Sequence, residues 1–240
     1  MNNDLLKRIL FMKLRKGDDV DITVTGISME PLLYAGDIVT LRHTDNYEIG
    51  DILAFVYKNG ELLIHRLLEV KNGRYYCKGD NALRLEDITL DQIAGKAVLK
   101  NGAAFPSPNE AMITLSLLVN RAFRKSGYRA DETRKSDIYR FYQQYMRKTE
   151  DLEMTYKIND SMDYISADAT SLAVFDPESG DTHFFDETGI DILNCLNTPC
   201  TMQELLNKLC EIYDATADDI RADVYEFLAE CISKRVVIVQ

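Results

Sequence analysis

Apolar and polar positions change their spacing several times along the chain. From Val20 to about Lys100, runs such as DITVTGI, GDIVTLRH, GDILAFVY and ELLIHRLLEV set apolar residues between Gly and Asp breaks. Short runs of this kind, with turn sequences at Lys58-Asn59-Gly60 and Lys71-Asn72-Gly73, predict hairpins of an all-β domain without βαβ crossovers. The opening MNNDLLKRILFMKLRKGDD reads as an amphipathic helix. Its apolar run is broken by Lys7, Arg8 and Lys13, so it has neither the h-region nor the cleavage site of a secretion signal.

Pro106 and Pro108, among small residues, mark a boundary. Helical spacing then covers Glu110 to about Asp151, first through Ile113, Leu117 and Val119 with a basic cluster at Arg121, Arg124, Lys125 and Arg129, and then through SDIYRFYQQYMRKTED. From Thr155 the pattern changes again. SLAVFDPESGDTHFFD predicts a strand pair turning at Ser179-Gly180-Asp181. Three helices follow, TGIDILNCLN, TMQELLNKLCEIYD and ADDIRADVYEFLAECISKR, and VVIVQ ends the chain as a short strand. Thr201 and Thr216 are expected N-caps, with Glu204 and Asp219 three residues on. The expected class is α+β, with a β domain at 1–104, a helical linker at 105–154 and a C-terminal domain at 155–240.

A chain of 240 residues can bury two modest cores without disulfides or metals. Its 28 Lys and Arg against 39 Asp and Glu leave a net charge of -11, which repels nucleic acid over most of the surface. The five cysteines Cys77, Cys195, Cys200, Cys210 and Cys231 form no CxxC pair and are odd in number, as expected of reduced thiols in a cytoplasm. The longest apolar stretch outside the N-terminus, Ala111 to Val119, is far short of the roughly 20 residues that span a bilayer. No transmembrane anchor, metal or cofactor is expected.

Candidate chemistry centres on GISMEPLLYAGDIV, where Ser28 follows a β run. A serine hydroxyl needs a base before it can attack a carbonyl, and the chain offers only His43, His65 and His183. His65 lies within the apolar ELLIHRLLEV; the other two have no comparable context and receive no role.

SMEPLLYAGDIV, GDILAF, IHRLLEV and CKGDNA occur in that order over about eighty residues. This series resembles the motifs of type I signal peptidases and LexA-type proteases. With His65 at the base position, the chain is similar to the Ser-His branch of that superfamily. The resemblance implies Ser28 as nucleophile and His65 as general base, a role that imidazole fills near neutral pH without the desolvation a lysine needs. It maps the orienting acid onto Asp87 first and Asp80 second, with Glu86 if an alignment gap lies elsewhere. The oxyanion hole would use backbone at Ser28 and Ile27, because Gly26 replaces the serine that adds a hydroxyl donor in signal peptidases.

The hairpin turn, the Phe185-Asp186-Glu187 step into a helix and the T-x-x-E-L start at Thr201 resemble the PqqD-like family, or RiPP recognition element. That resemblance implies a winged-helix-like domain, a three-stranded sheet on three helices, which binds a leader peptide as an added strand. Thr182, Phe184 and Phe185 would form the edge, and Val224, Phe227 and Leu228 the groove. The implied function is a serine endopeptidase that matures a ribosomally made precursor peptide, with a peptide-modifying enzyme as a further partner. Two alternatives stay open: a non-catalytic precursor-binding scaffold, and a LexA-like self-cleaving regulator. Asp218, Asp219, Asp223, Glu226 and Glu230 against Arg221 and Lys234 make the last helix a poor fit to a phosphate backbone.

Overall fold

The computed structural model describes residues 3–58, 60–106, 110–148, 154–168 and 170–240. Asn59 of the expected first turn, Pro108 of the expected boundary and residues 149–153 lie outside the described residues. The chain divides into two compact units, 1–133 and 134–240. The helices expected as a linker are therefore shared between the units.

The first unit begins with α1 (Asn3–Arg15) and continues through β1 (Val20–Thr23), β2 (Ile38–Arg42), β3 (Ile52–Val56), β4 (Leu62–Lys71), β5 (Arg74–Lys78), β6 (Glu86–Ile88), β7 (Ile93–Lys100) and β8 (Ala103–Ala104). It closes with α2 (Glu110–Lys125) and most of α3 (Ala130–Lys135). The strands form one antiparallel sheet in the order β1-β2-β7-β3-β4-β5-β6, with β8 on β7.

The continuous apolar ILAF of β3 has a physical reason. Ile52 and Ala54 face a core of Leu10, Leu14, Met29, Leu33 and Leu41, whereas Leu53 and Phe55 face a second core of Leu67, Cys77, Ile88 and Ile93. A strand buried on both faces cannot alternate with polar residues. The β4–β5 hairpin turns through Asn72 and Gly73, both at positive φ as its Asn-Gly sequence favours. On α2, Asn120 Nδ2 donates to Leu83 O at 2.8 Å and ties down the loop that follows β5.

The second unit holds α4 (Asp137–Lys148), β9 (Thr155–Ile158), β10 (Asp163–Asp168), β11 (Ser171–Phe175), β12 (Thr182–Phe185), α5 (Glu187–Cys195), β13 (Cys200–Thr201), α6 (Met202–Tyr213), α7 (Ala217–Ser233) and β14 (Val237–Val239). One antiparallel sheet runs β10-β11-β12, so the expected strand pair gains a third strand. A second small sheet, β13-β9-β14, takes in the terminal strand. Thr201 and Thr216 cap α6 and α7 through reciprocal bonds with Glu204 and Asp219, and Asp186 caps α5 by accepting from Gly189 N. Such caps satisfy the orphan N–H groups at a helix start and are each worth about 1 kcal/mol.

Candidate functional site

Ser28 lies in the turn after β1, held from both sides. Met29 and Leu33 next to it are buried in the first core, and Leu33 N donates to Met29 O at 2.9 Å. On the other side, Asn81 N donates to Ser28 O at 2.7 Å and Asn81 Nδ2 to Ile27 O at 3.3 Å. Gly79 approaches so closely that a Cβ there would stand 2.5 Å from Ser28 O and 2.9 Å from His65 Nε2. No oxygen among the described residues accepts from the Ser28 backbone N–H. The Ile27 carbonyl accepts from Glu30 N and Asn81 Nδ2; only the Ile27 N–H, a donor, could serve an oxyanion.

Three side chains form a continuous relay. His65 Nε2 lies 2.9 Å from Ser28 Oγ, and His65 Nδ1 lies 3.0 Å from Glu86 Oε2. His65 and Glu86 are buried, and the imidazole meets the Phe55 ring edge-on at 6.0 Å. Sheet register explains the third partner. On β4, His65 and Leu67 share a face; Cys77 is opposite Leu67, and Glu86 is opposite Cys77. Residues directly opposite one another share a face, so Glu86 belongs to the histidine side.

The two acids expected first at this position, Asp87 and Asp80, have other partners in the structure. Asp87 is opposite Tyr76, on the other face, and bonds Arg74 Nε at 2.6 Å. Asp80 is buried but makes a two-pronged pair with Arg66, at 2.9 and 2.7 Å. Arg66 alternates with His65 on β4 and so draws Asp80 away from the imidazole.

Lys78 is also buried, with its Nζ donating to Gly79 O at 3.0 Å. Burial lowers its pKa to about 8, against the opposing charges of Asp80 and Glu86, while Arg66 adds to the lowering. Burial likewise raises the Cys77 thiol, helped by Glu86, so Cys77 is no nucleophile here. A cleft of about 490 Å³ opens at Ser28 between Ile22–Gly26 and Glu61–Ile64. β1 pairs only with β2, and the pairing of β4 with β5 begins at Arg66, so both walls of the cleft carry an open strand edge among the described residues.

In the second unit β12 pairs only with β11 among the described residues. Phe184 is 80% exposed on that edge strand, Thr182 is exposed, and the Phe185 ring meets Phe227 at 5.9 Å. Val224 and Leu228, expected in the groove, are buried in the interior instead. They share the inward stripe of α7 with Tyr225 and Cys231, whereas Phe227 sits at its margin, half-buried.

Residues 4–98 match the Peptidase S24-like family, and residues 171–237 match the family of Coenzyme PQQ synthesis protein D, PqqD. The chain joins a Peptidase S24-like segment to a PqqD segment. The S24-like match runs from α1 into β7 and contains Ser28, His65 and Glu86; at the family level it is a serine peptidase. The PqqD match starts at β11 and reaches β14, so it includes the open edge of β12 and all of α7. No curated protein matches the chain. No helix among the described residues is long and apolar enough to cross a membrane. Sequence reading assigned no role to Gly79, Lys78 or Asn120. Lys78 and Gly79 lie within the CKGDNA motif, whereas nothing local marked Asn120.

Proposed function

We propose that the chain is a serine endopeptidase that cleaves a ribosomally made precursor peptide, with Ser28 as nucleophile, His65 as general base and Glu86 as the carboxylate that orients the imidazole. The unbroken relay from Ser28 Oγ through His65 to Glu86, at 2.9 and 3.0 Å, carries this reading. Glu86 holds the proton of His65 on Nδ1, leaving Nε2 free to accept from Ser28. Ser28 Oγ then attacks the scissile carbonyl while His65 takes its proton. The Ser28 N–H, which has no acceptor among the described residues, would donate to the oxyanion. His65 next protonates the leaving amine, and water repeats the cycle on the acyl-enzyme.

An extended substrate fits the cleft as a strand between the open edges of β1 and β4. The PqqD segment would take the leader part of the same peptide on the β12 edge, beside Phe184 and against Phe227, and so raise the concentration of the scissile bond near Ser28. Two segments then serve one substrate.

The test is covalent labelling of the full chain with a serine-directed acylating probe, followed by mass spectrometry of the peptides encoded beside the gene after incubation with the protein. Wild type should label at Ser28 and cleave; Ser28→Ala and His65→Ala should do neither. Phe184→Asp should keep labelling and lose tight peptide binding. Unlabelled wild type that still binds peptide would instead support the scaffold.

A further inference from the structure

α1 carries two apolar stripes, and only one is used by the fold. Leu10 and Leu14 are buried in the first core. On the outer side Leu5 is 52%, Ile9 37% and Met12 50% exposed, on consecutive turns of the helix. Five basic residues, Lys7, Arg8, Lys13, Arg15 and Lys16, stand against the single acid Asp4 in α1 and the residue after it, in a chain whose net charge is -11. Charge is therefore locally reversed around an exposed apolar crest. At a spacing of 100° per residue, Arg8 and Arg15 flank the crest on one side and Lys13 on the other. A cleft of about 650 Å³ adjoins it, with Met12 of the crest in its wall beside Asp4, Arg8, Phe11, Arg15 and Lys16, and the Arg15 guanidinium over the Phe11 ring at 5.7 Å.

We infer that the outer face of α1 is a docking surface for an anionic phospholipid membrane. An apolar crest flanked by cations is the pattern of a helix lying in a bilayer interface, where the apolar residues enter the acyl boundary and the basic stems reach back to phosphates. Charge chooses the lipid class: each Lys or Arg near an anionic surface improves binding by about fivefold, and screening over about 10 Å limits the repulsion from distant acids of the chain. The helix is itself anchored, because Lys7 Nζ donates to Gly60 O beyond β3 while Leu10 and Leu14 sit in the core. Docking by α1 would therefore hold the whole S24-like segment at the membrane. This inference does not depend on the peptidase reading.

The test is co-sedimentation of the full chain with vesicles of equal parts phosphatidylglycerol and phosphatidylcholine, compared with phosphatidylcholine alone. The chain should bind the mixed vesicles at least about tenfold more tightly, and high salt should weaken that binding. A triple variant, Leu5→Ser, Ile9→Ser and Met12→Ser, should stay folded, as its melt will show, because the buried Leu10 and Leu14 that anchor the helix are untouched, and lose at least about tenfold in binding. A second variant, Arg8→Glu with Lys13→Glu, should lose the preference for phosphatidylglycerol. Failure of wild type to bind the mixed vesicles would overturn the inference, as would equal binding by the triple variant. So would sedimentation velocity without lipid showing a wild-type dimer that the triple variant abolishes while vesicle binding stays unchanged, since a second copy would then own the crest.

Discussion

Glu86 and Asp87 are neighbours on β6 that point to opposite faces of the sheet: Glu86 Oε2 lies 3.0 Å from His65 Nδ1, and Asp87 Oδ1 lies 2.6 Å from Arg74 Nε. The first contact is buried and the second partly exposed. Under the proposed mechanism, Glu86→Gln keeps the shape of the site but no longer stabilises the imidazolium, and it favours the wrong tautomer. Its rate of Ser28 acylation should fall by about a hundredfold to ten-thousandfold. Asp87→Asn weakens only a partly exposed ion pair, worth about 1 kcal/mol, on the other face of the sheet from His65, and should leave that rate within about twofold. The reverse ranking would return Asp87 to the site.

The proposed pair of Ser28 and His65 was legible as a candidate in the sequence because each sits in a motif whose neighbours fix its backbone. SMEP plants Met29 in the core beside Ser28, and the apolar IHRLLEV can only be an inner strand. The acid was not legible. Choosing between Glu86 and Asp87 means knowing the parity of β6 against β5 and of β5 against β4, and the β4–β5 ladder shifts register between Leu67 and Glu69. A one-residue slip moves every side chain to the other face, and no local pattern in the three-residue β6 reports it. On α7 the limitation is different. Val224, Phe227 and Leu228 look alike as apolar positions, and only the packing of the finished unit separates the buried pair from the half-buried ring.

Asp80 has a structural task that can be measured apart from catalysis. Its carboxylate takes both prongs of the Arg66 guanidinium, which also donates to Gly50 O at 3.0 Å, and both partners are buried. Asp80→Ala leaves a buried cation without its carboxylate and should cost about 3–5 kcal/mol of unfolding free energy in urea. Replacing both partners, Arg66→Met with Asp80→Leu, removes the charge with its counterion and should recover most of that loss. A loss under about 1 kcal/mol for Asp80→Ala would mean that solvent already reaches the pair.

Lys78 gives a pH dependence whose sign follows from its burial. The folded chain lowers its pKa to about 8 from the ordinary lysine value of 10.5, mainly by desolvation. Below about pH 8 the ammonium is charged in both states, so the folded state bears the full cost of burying it. As pH rises from about 8 to 10.5, the folded chain releases this proton before the unfolded chain does, and linkage makes stability rise. The relief is on the order of 3 kcal/mol. Comparison with Lys78→Met cancels the other titrating groups. Wild type should gain stability relative to Lys78→Met as pH is raised through that window, in urea titrations from neutral pH to about pH 10. A difference between the two proteins that is flat with pH would show that the buried ammonium is solvated or fully compensated by Asp80 and Glu86, which oppose its deprotonation.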